Sequence, residues 1–364
     1  MDDFDRDVYC IGGLPFDAID LSKTMSGLRD AQHKKTTCFL TTPNLNFLAL
    51  SQQDADFRNS VLHSDIVIAD GVPIVWIAKL LGIPIQERVA GSNLFEALGK
   101  EWRRKMKVYF FGGPTGVAAE ASANINEKST GLTCVGYYSP GFGTIEEMSE
   151  KTIIDNINLS DADFLVVALG AKKGQAWIVH NLHKIKIPLV SHLGAVVNFE
   201  AKRLKRAPVM LQNIGLEWAW RIKEEPHLWQ RYWSDGWFLL LFLMTNILPY
   251  IILNCFNRQR LKRLSQKSTV VLDNKGLDTQ LIISGAILDP VSLETRSLLR
   301  GASLQNKSVQ LNLADAEYLS VGMLGLLLLL KKQLDKQGNQ LKIVELQPSM
   351  RKLLGWNGLN YLVE

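Results

Sequence analysis

One carboxylate in the chain has both the residue type and the position to act in catalysis. Asp70-Gly71 ends a strand-like apolar run that begins at Ile66, and an amphipathic pattern follows from Ile74 through Leu81. Such a pattern predicts a carboxylate at the C-terminal edge of a sheet, where open α/β folds bind ligands. There it could act as a general base towards a hydroxyl group. A capping Asp in an ordinary turn is the alternative, and the local pattern leaves both possibilities open.

Further candidate groups follow other predicted strands and are expected on the same rim. They are Thr42, Asn44, Gly112, Gly113, Gly141 and Gly170. The backbone N–H groups of a glycine loop before a helix can point at a phosphate. The loop that begins at Gly112 has neither the Gly-Lys-Ser/Thr of a P-loop nor dinucleotide GxGxxG spacing, so a nicotinamide oxidoreductase is only a minor alternative.

The elements that would position these groups alternate between strands and helices. Strands are predicted at Val8–Ile11, Cys38–Leu40, Ile66–Ala69, Lys107–Phe111, Thr133–Tyr137, Phe164–Leu169 and Ile187–Val190. This alternation predicts an α/β fold, with a Rossmann-like, mostly parallel sheet covered by helices on both faces.

The composition changes after Pro208. Residues 215–233 are rich in aromatic and basic side chains, and residues 237–256 carry no charge over a length that could cross a bilayer. Thr245, Asn246 and Pro249 interrupt this apolar segment, and both of its flanks are basic. Since positive flanks tend to stay on one side of a membrane, we expect a re-entrant or interfacial helical hairpin rather than a single span or a buried core helix.

Short strands and helices begin again after a basic linker, which predicts a second, small α/β module. The predicted domains are an α/β transferase domain (1–208), its arginine- and aromatic-rich appendage (209–235), a membrane-associating hairpin with its linker (236–268) and the C-terminal module (269–364).

The composition and the distribution of charge indicate which classes of partner the protein binds. The 364 residues are 47% apolar and 21% charged, as in globular proteins, and the net charge is +5. Basic residues on both sides of the apolar segment suit an anionic membrane or a phosphate-bearing substrate, and no motif indicates nucleic acid. The scattered cysteines predict no zinc site, and the acidic N-terminus predicts no signal peptide. The triplets Asp54-Ala-Asp56 and Asp161-Ala-Asp163 are expected to be caps or solvated surface, so we expect neither a metal nor a cofactor.

Residues 36–232 resemble the WecG/TagA/CpsF glycosyltransferase family in the order and spacing of several pieces. These pieces are Thr42-Pro43-Asn44, Asp70-Gly71, Glu87-Arg88-Val89-Ala90-Gly91, Phe110-Phe111-Gly112-Gly113, Arg206-Ala207-Pro208, the run from Gly215 to Arg221, Glu225-Pro226 and Arg231-Tyr232. The resemblance implies an inverting, metal-independent enzyme of bacterial surface polysaccharide synthesis. Such an enzyme moves a sugar from a UDP-sugar to a polyprenyl-diphosphate-linked saccharide at the cytoplasmic face of the inner membrane.

The resemblance also implies roles for individual residues. Asp70 would be the general base, Thr42 and Asn44 would shape the acceptor side, and Arg88 would hold the donor or its developing charge. Arg221 and Arg231 would close over the diphosphate. The remaining donor- and phosphate-binding candidates are Gly112, Gly113, Gly141, Gly170, Gln175 and Arg206.

The chain departs from the family pattern after the strand that ends near Leu169. Where the family usually has Gly-x-Pro-Lys-Gln-Glu, this chain has Gly170-Ala-Lys-Lys-Gly174-Gln175, so Gly174 replaces the Gln and Gln175 the Glu. Asn198 replaces a usual Asp, and His227 a common Arg. These changes leave the donor sugar open. They also motivate an alternative function, a catalytically degenerate membrane scaffold that recruits a partner through the C-terminal module.

That module, residues 269–364, resembles a STAS domain. The resemblance rests on Leu311-Asn312-Leu313-Ala-Asp315 and on Leu319-Ser320-Val321-Gly322-Met323-Leu-Gly325. Val321 stands where switching members carry a phosphorylatable Ser. The resemblance therefore implies protein docking rather than a phosphorylation switch.

Overall fold

The computed structural model describes residues 2–101, 105–213, 215–273 and 278–363. Its strands are β1 (Val8–Ile11), β2 (Leu14–Asp17), β3 (Cys38–Thr41), β4 (Ile66–Val67), β5 (Met106–Gly112), β6 (Leu132–Tyr138), β7 (Phe164–Ala168), β8 (Leu189–His192), β9 (Thr269–Asp273), β10 (Thr279–Ile287), β11 (Val309–Leu313), β12 (Ala316–Leu319) and β13 (Leu341–Leu346). Its helices are α1 (Leu21–Lys34), α2 (Leu45–Gln53), α3 (Ala55–Leu62), α4 (Val72–Leu80), α5 (Gly91–Lys100), α6 (Val117–Lys128), α7 (Lys151–Leu159), α8 (Ala171–Asn181), α9 (Gly194–Glu200), α10 (Val209–Asn213), α11 (Glu217–Glu224), α12 (Trp229–Phe242), α13 (Leu248–Ser265), α14 (Leu293–Ser303), α15 (Val321–Lys336) and α16 (Pro348–Trp356).

The first half of the chain forms a six-stranded parallel sheet in the order β4-β3-β8-β7-β5-β6. The predicted α/β class is therefore confirmed. From the middle of this sheet, β3 leads outward to β4 in one direction and β5 leads outward to β6 in the other. The order therefore reverses near β8, and such a switch point is where open α/β sheets form their ligand crevice.

Alternating side chains of the central strands explain why helices cover both faces of the sheet. In β5, Val108 and Phe110 are buried in the cluster that contains Phe95 of α5, whereas Phe111 stacks on Trp177 of α8 on the opposite face. Successive strand residues point to opposite faces, so a strand that is apolar at every position needs cover on both.

The predicted hairpin over 237–256 is wrong. The segment belongs to one continuous helix, Pro226–Ser265, which is 40 residues long and joins α12 to α13 through the π-helical turn Leu243–Ile247. The polar residues do not break it, because Thr245 Oγ1 donates to Leu241 O at 2.9 Å and Asn246 Nδ2 donates to Trp356 O at 3.1 Å. Pro249 comes directly after the π turn, where the regular i→i−4 hydrogen-bond ladder of the helix is already interrupted.

The C-terminal module contains β9–β13 in one sheet and shares a hydrophobic core with the transferase half. The residues Val321–Leu330 of its helix α15 are all buried, and the antiparallel hairpin β1–β2 from the chain's start packs against this helix. The contact is close enough to require glycine, since a Cβ at Gly325 would lie 2.4 Å from Val8 O. The chain's own N-terminal hairpin therefore occupies this face of the module, and protein docking through its other faces stays a prediction.

Candidate active site

A cavity of about 1000 Å³ lies at the carboxyl edge of the six-stranded sheet, and residues of α11 and α12 form its roof. Eight of the residues selected from the sequence line it: Thr42, Asn44, Asp70, Arg88, Gly113, Gly170, Arg221 and Arg231. They come from five separate strand ends or loops and from the two roof helices. Parallel strands bring these groups together because their carboxyl ends all meet at one edge.

Asp70 is held on the rim of this cavity by main-chain hydrogen bonds. Its N–H donates to Pro43 O at 3.0 Å, and Val89 N donates to Ala69 O at 3.0 Å. The first bond fixes Asp70 next to the turn that carries Thr42 and Asn44. The second brings Arg88 to its other side. The Asp70 side chain is partly buried but lines the cavity, so it has a route to a bound ligand.

The electrostatic environment tunes Asp70 towards a proton acceptor of moderate strength. Burial raises the pKa of its carboxyl to about 6; the nearby Arg88 guanidinium opposes this rise and the Glu217 carboxylate adds to it. A carboxyl with that pKa is mostly ionised near neutral pH. It also binds a proton more firmly than an ordinary Asp does, which suits a general base.

The arginines of the cavity are held by partners on its roof. Arg88 pairs with Glu217 of α11, and Arg221 pairs with Glu225 at 2.7 Å. The guanidinium of Arg231 lies 4.8 Å from the centre of the Tyr232 ring. The Arg88–Glu217 pair joins the loop before α5 to the roof, so it fastens the appendage next to Asp70.

Four of the selected residues do not line this cavity. Gln175 is 1% exposed and donates to Thr41 Oγ1 at 3.3 Å, so it lies in the core beneath the rim. Arg206 pairs with Glu96 and Asn93 and lines a neighbouring, smaller pocket of about 390 Å³. Gly112 ends β5 where a Cβ would lie 2.6 Å from Ala168 O, and Gly141 lies in an exposed loop outside the cavity lining.

The structure adds functional candidates that the sequence did not single out. His192 ends the central strand β8 and lines the cavity, and Glu217 lies beside Arg88. Asp235 of α12 also lines it, is 7% exposed and accepts a hydrogen bond from Asn46 Nδ2 at 3.2 Å. His192 follows a predicted strand, which was a usable signal. Glu217 and Asp235 lie on helical segments whose position over the sheet no local pattern predicts.

The two Asp-Ala-Asp triplets have structural roles. Asp54 caps α3, with its side chain accepting from Phe57 N at 3.0 Å, and it pairs with Lys172 at 2.6 Å. Asp161 pairs with Lys107 at the opposite end of the sheet from the cavity. Among the residues that the structure describes, no group of three or more His, Cys, Asp or Glu side chains could hold a metal ion.

Comparison with known proteins identifies the family of the chain. Two relatives carry the same name, N-acetylglucosaminyldiphosphoundecaprenol N-acetyl-beta-D-mannosaminyltransferase. The one from Bacillus spizizenii is 28% identical over 201 residues, covering 55% of this chain and 76% of the relative. The one from Bacillus subtilis is 25% identical over 191 residues, covering 52% and 72%. Residues 9–250, which include the whole cavity, match the profile of the Glycosyl transferase WecG/TagA/CpsF family. The chain is therefore a glycosyltransferase and belongs to the WecG/TagA/CpsF family.

Proposed function

We propose that this enzyme transfers a sugar from a UDP-sugar to a polyprenyl-diphosphate-linked saccharide, with inversion and without a metal, in bacterial surface polysaccharide synthesis. The observation that carries the proposal is the position of Asp70, on the rim of a large cavity beside Arg88 and under a roof rich in arginine and tryptophan. The acceptor class follows from the names of the two relatives, which act on an undecaprenol-diphosphate-linked sugar.

The proposed chemical step is a single displacement. The ionised Asp70 carboxylate takes the proton of an acceptor hydroxyl while that oxygen forms a bond to the anomeric carbon of the donor. The bond between the anomeric carbon and the diphosphate oxygen breaks, and UDP leaves with the electron pair. Because the hydroxyl attacks from the face opposite the leaving group, the anomeric configuration inverts. Thr42 and Asn44 lie next to Asp70 and position the acceptor.

Negative charge that develops on the leaving diphosphate needs nearby donors. Arg88, Arg221 and Arg231 line the cavity and supply charge-assisted hydrogen bonds in the place of a metal ion. Gly170 and Ala171 at the start of α8 add backbone N–H groups at the positive end of a helix. Arg88 reaches the diphosphate by exchanging its ion pair with Glu217 for the stronger charge of the substrate.

We further propose that the long helix lies along the cytoplasmic surface of the inner membrane. Between Trp237 and Phe256 its exposed large side chains are all apolar: Trp237, Leu240, Leu241, Met244, Leu248, Ile252 and Phe256. Only 17% of the most apolar 18-residue stretch of this helix is buried inside the protein, and a basic segment from Arg258 to Lys267 follows. An exposed apolar face that continues into exposed basic residues matches an anionic lipid surface.

The opposite face of the helix argues for lying on the membrane rather than crossing it. Phe242, Ile247, Tyr250 and Leu261 are buried in the core that the transferase half and the C-terminal module share. Tyr250 Oη and Tyr318 Oη of that module are 2.5 Å apart, which fixes the middle of the helix to the protein. A helix anchored along its length in this way presents its apolar side to the bilayer surface, and it brings the cavity to the lipid acceptor.

UDP release tests the transfer. UDP-glucose, UDP-N-acetylglucosamine, UDP-N-acetylmannosamine and their uronates would each be supplied with a short-chain polyprenyl-diphosphate saccharide, with and without a chelator. We expect one donor to release UDP only when the acceptor is present and to do so equally with the chelator. Binding of UDP-sugars without turnover on any acceptor would instead support the scaffold function.

Vesicle flotation tests the membrane surface. Replacing Met244 and Leu248 together by Glu should lower binding to vesicles containing phosphatidylglycerol by about tenfold or more, because two apolar contacts become charged. Leu159→Glu is the matched control, since Leu159 is 81% exposed on α7, outside the long helix. Equal binding of the double variant and the wild type would contradict the proposed orientation.

A further inference from the structure

His192 lines the cavity, and the proposed step gives it no role. It ends β8, the central strand at the point where the strand order reverses. Its Nε2 atom is buried and has no hydrogen-bond partner within the described part of the chain. A buried polar atom without a partner costs free energy, and binding a ligand is one way to satisfy it.

The space that the imidazole occupies exists only because residue 174 is glycine. A Cβ at Gly174 would lie 2.3 Å from His192 Cδ2, closer than such atoms approach in proteins. The histidine ring therefore fills space that a side chain on α8 would otherwise occupy, next to the same cavity.

The order of groups along the sheet edge indicates which part of the donor His192 faces. Asp70 follows β4, Thr42 follows β3, His192 ends β8, and Gly170 and Gly113 follow β7 and β5. Neighbouring strands are about 4.8 Å apart, so His192 lies roughly 10 Å along the edge from Asp70, near the width of one sugar ring with its contacts. A donor sugar whose reacting carbon lies at Asp70 would therefore bring the substituents on the far side of its ring close to His192.

We infer that His192 is a specificity-determining residue that forms a hydrogen bond with an uncharged substituent, a hydroxyl or an N-acyl group, of the donor sugar. This inference rests on the proposed function, because it places a UDP-sugar in the cavity. Burial lowers the pKa of the imidazole to about 4, so the ring is neutral near pH 7 and can both donate and accept a hydrogen bond. The ring of Phe47, centred 6.5 Å away, packs beside it and limits its movement.

The test compares the binding of a UDP-sugar with the binding of UDP. Calorimetry with UDP and with each UDP-sugar of the panel gives the affinity that the sugar adds, and it needs no turnover. For the best donor, we expect His192→Leu to lower the affinity for the UDP-sugar by about tenfold while the affinity for UDP changes less than twofold. His192→Gln should recover part of the loss, because it can hydrogen bond and Leu cannot.

A pair of exchanges separates this role from simple filling of space. Gly174→Gln alone should impair folding or donor binding because it collides with His192. The double variant Gly174→Gln, His192→Gly removes the collision, and we expect it to fold and to rank the donors differently from the wild type. An unchanged donor ranking in this variant, or full sugar-dependent affinity in His192→Leu, would overturn the inference.

The outcome also distinguishes this inference from the proposed function. If UDP-sugars bind and no acceptor supports turnover, the transfer proposal fails, and the ratio of affinities still decides the role of His192. A wild-type protein that binds no UDP-sugar more tightly than UDP would overturn the role of His192, whatever the acceptor assays show.

Discussion

Asp65 comes just before the short strand β4, and Asp70 follows its end. Their surroundings shift the pKa values of the two carboxyl groups in opposite directions. At the amino end, Lys332 of α15 donates to Asp65 Oδ1 at 3.0 Å, and the lysine is 0% exposed. Burial disfavours the charged form of Asp65, but Lys332 and Lys336 outweigh it and hold its pKa below the usual value. At the carboxyl end, burial prevails over Arg88, and the pKa of Asp70 rises to about 6.

The two ends differ in how completely their charges are matched. Around Asp65, Lys332 also pairs with Asp3 at 3.1 Å and donates to Ser64 O at 2.9 Å, while Arg6 joins Asp3 to Asp17. Every cation there has a carboxylate, and the cluster is buried apart from Asp65 and Lys336, which are partly exposed. Around Asp70, Arg88 divides its charge between Asp70 and Glu217, and the groups face a cavity. A matched, closed cluster is suited to hold elements together, and an incompletely matched, open one is suited to take up a proton.

The largest effect should come from removing the charge of Asp70. We expect Asp70→Asn to lower kcat by 10²- to 10⁴-fold, because the amide cannot accept the acceptor proton, while UDP affinity and the melting temperature stay close to wild type. UDP release with saturating donor and acceptor measures the rate. If this variant keeps the wild-type rate, Asp70 is not the base.

The matched cluster should respond in stability rather than in rate. Lys332→Met removes the buried cation that Asp3 and Asp65 share and leaves only Arg6 and Lys336 to compensate them, so it should lower the free energy of unfolding by about 3 kcal/mol, measured by urea titration. Lys336→Met is the control, since Lys336 is partly exposed and lies 3.6 Å from Asp65, so less than about 1 kcal/mol is expected. Equal losses in the two variants would show that the buried charges around Lys332 contribute no more to stability than a partly exposed ion pair.

The pH dependence of kcat/KM should report the pKa of Asp70. A base must be ionised, so the rate should fall as the pH drops through about 6 and level off above it. Arg88 favours the charged form of Asp70 and Glu217 disfavours it. Arg88→Gln should therefore move the midpoint to higher pH, and Glu217→Gln should move it to lower pH. Midpoints that do not move in opposite directions would contradict the assigned environment.

The smallest effect is expected at Gln175, which lies in the core beneath the rim of the cavity. Its amide donates only a long bond to Thr41, so replacement by Met, a side chain of similar shape, should cost less than about 1 kcal/mol of stability. The KM for the UDP-sugar should stay within twofold of wild type, because Gln175 does not line the cavity. A large rise in KM would instead show that Gln175 contributes to donor binding.

Comparison of the sequence predictions with the structure shows which kinds of inference succeed. Asp70 and Gly170 could be placed on the rim from the ends of apolar runs, because the carboxyl end of a parallel strand has a fixed relation to its sheet. The class of the fold followed from the same alternation. The continuous helix through Pro249 could not be predicted, since it depends on hydrogen bonds from Asn246 to α16, more than a hundred residues away.

The pairing of charges could not be predicted from the sequence either. Arg88 meets Glu217, and Lys332 meets Asp3 and Asp65, across sequence separations that no local motif spans. The contact between Gly174 and His192 also appears only when α8 packs beside the end of β8.

By itself, the sequence determined the six strands of the large sheet and their order along the chain, the groups at their ends and the apolar length of the segment after Gly236, because periodicity and turn chemistry are local properties. Only the tertiary structure decided that the charge of Asp65 is paired with lysine side chains, whereas Asp70 remains able to take up a proton. Burial and distance to opposite charges set that difference, and both arise when distant segments pack together.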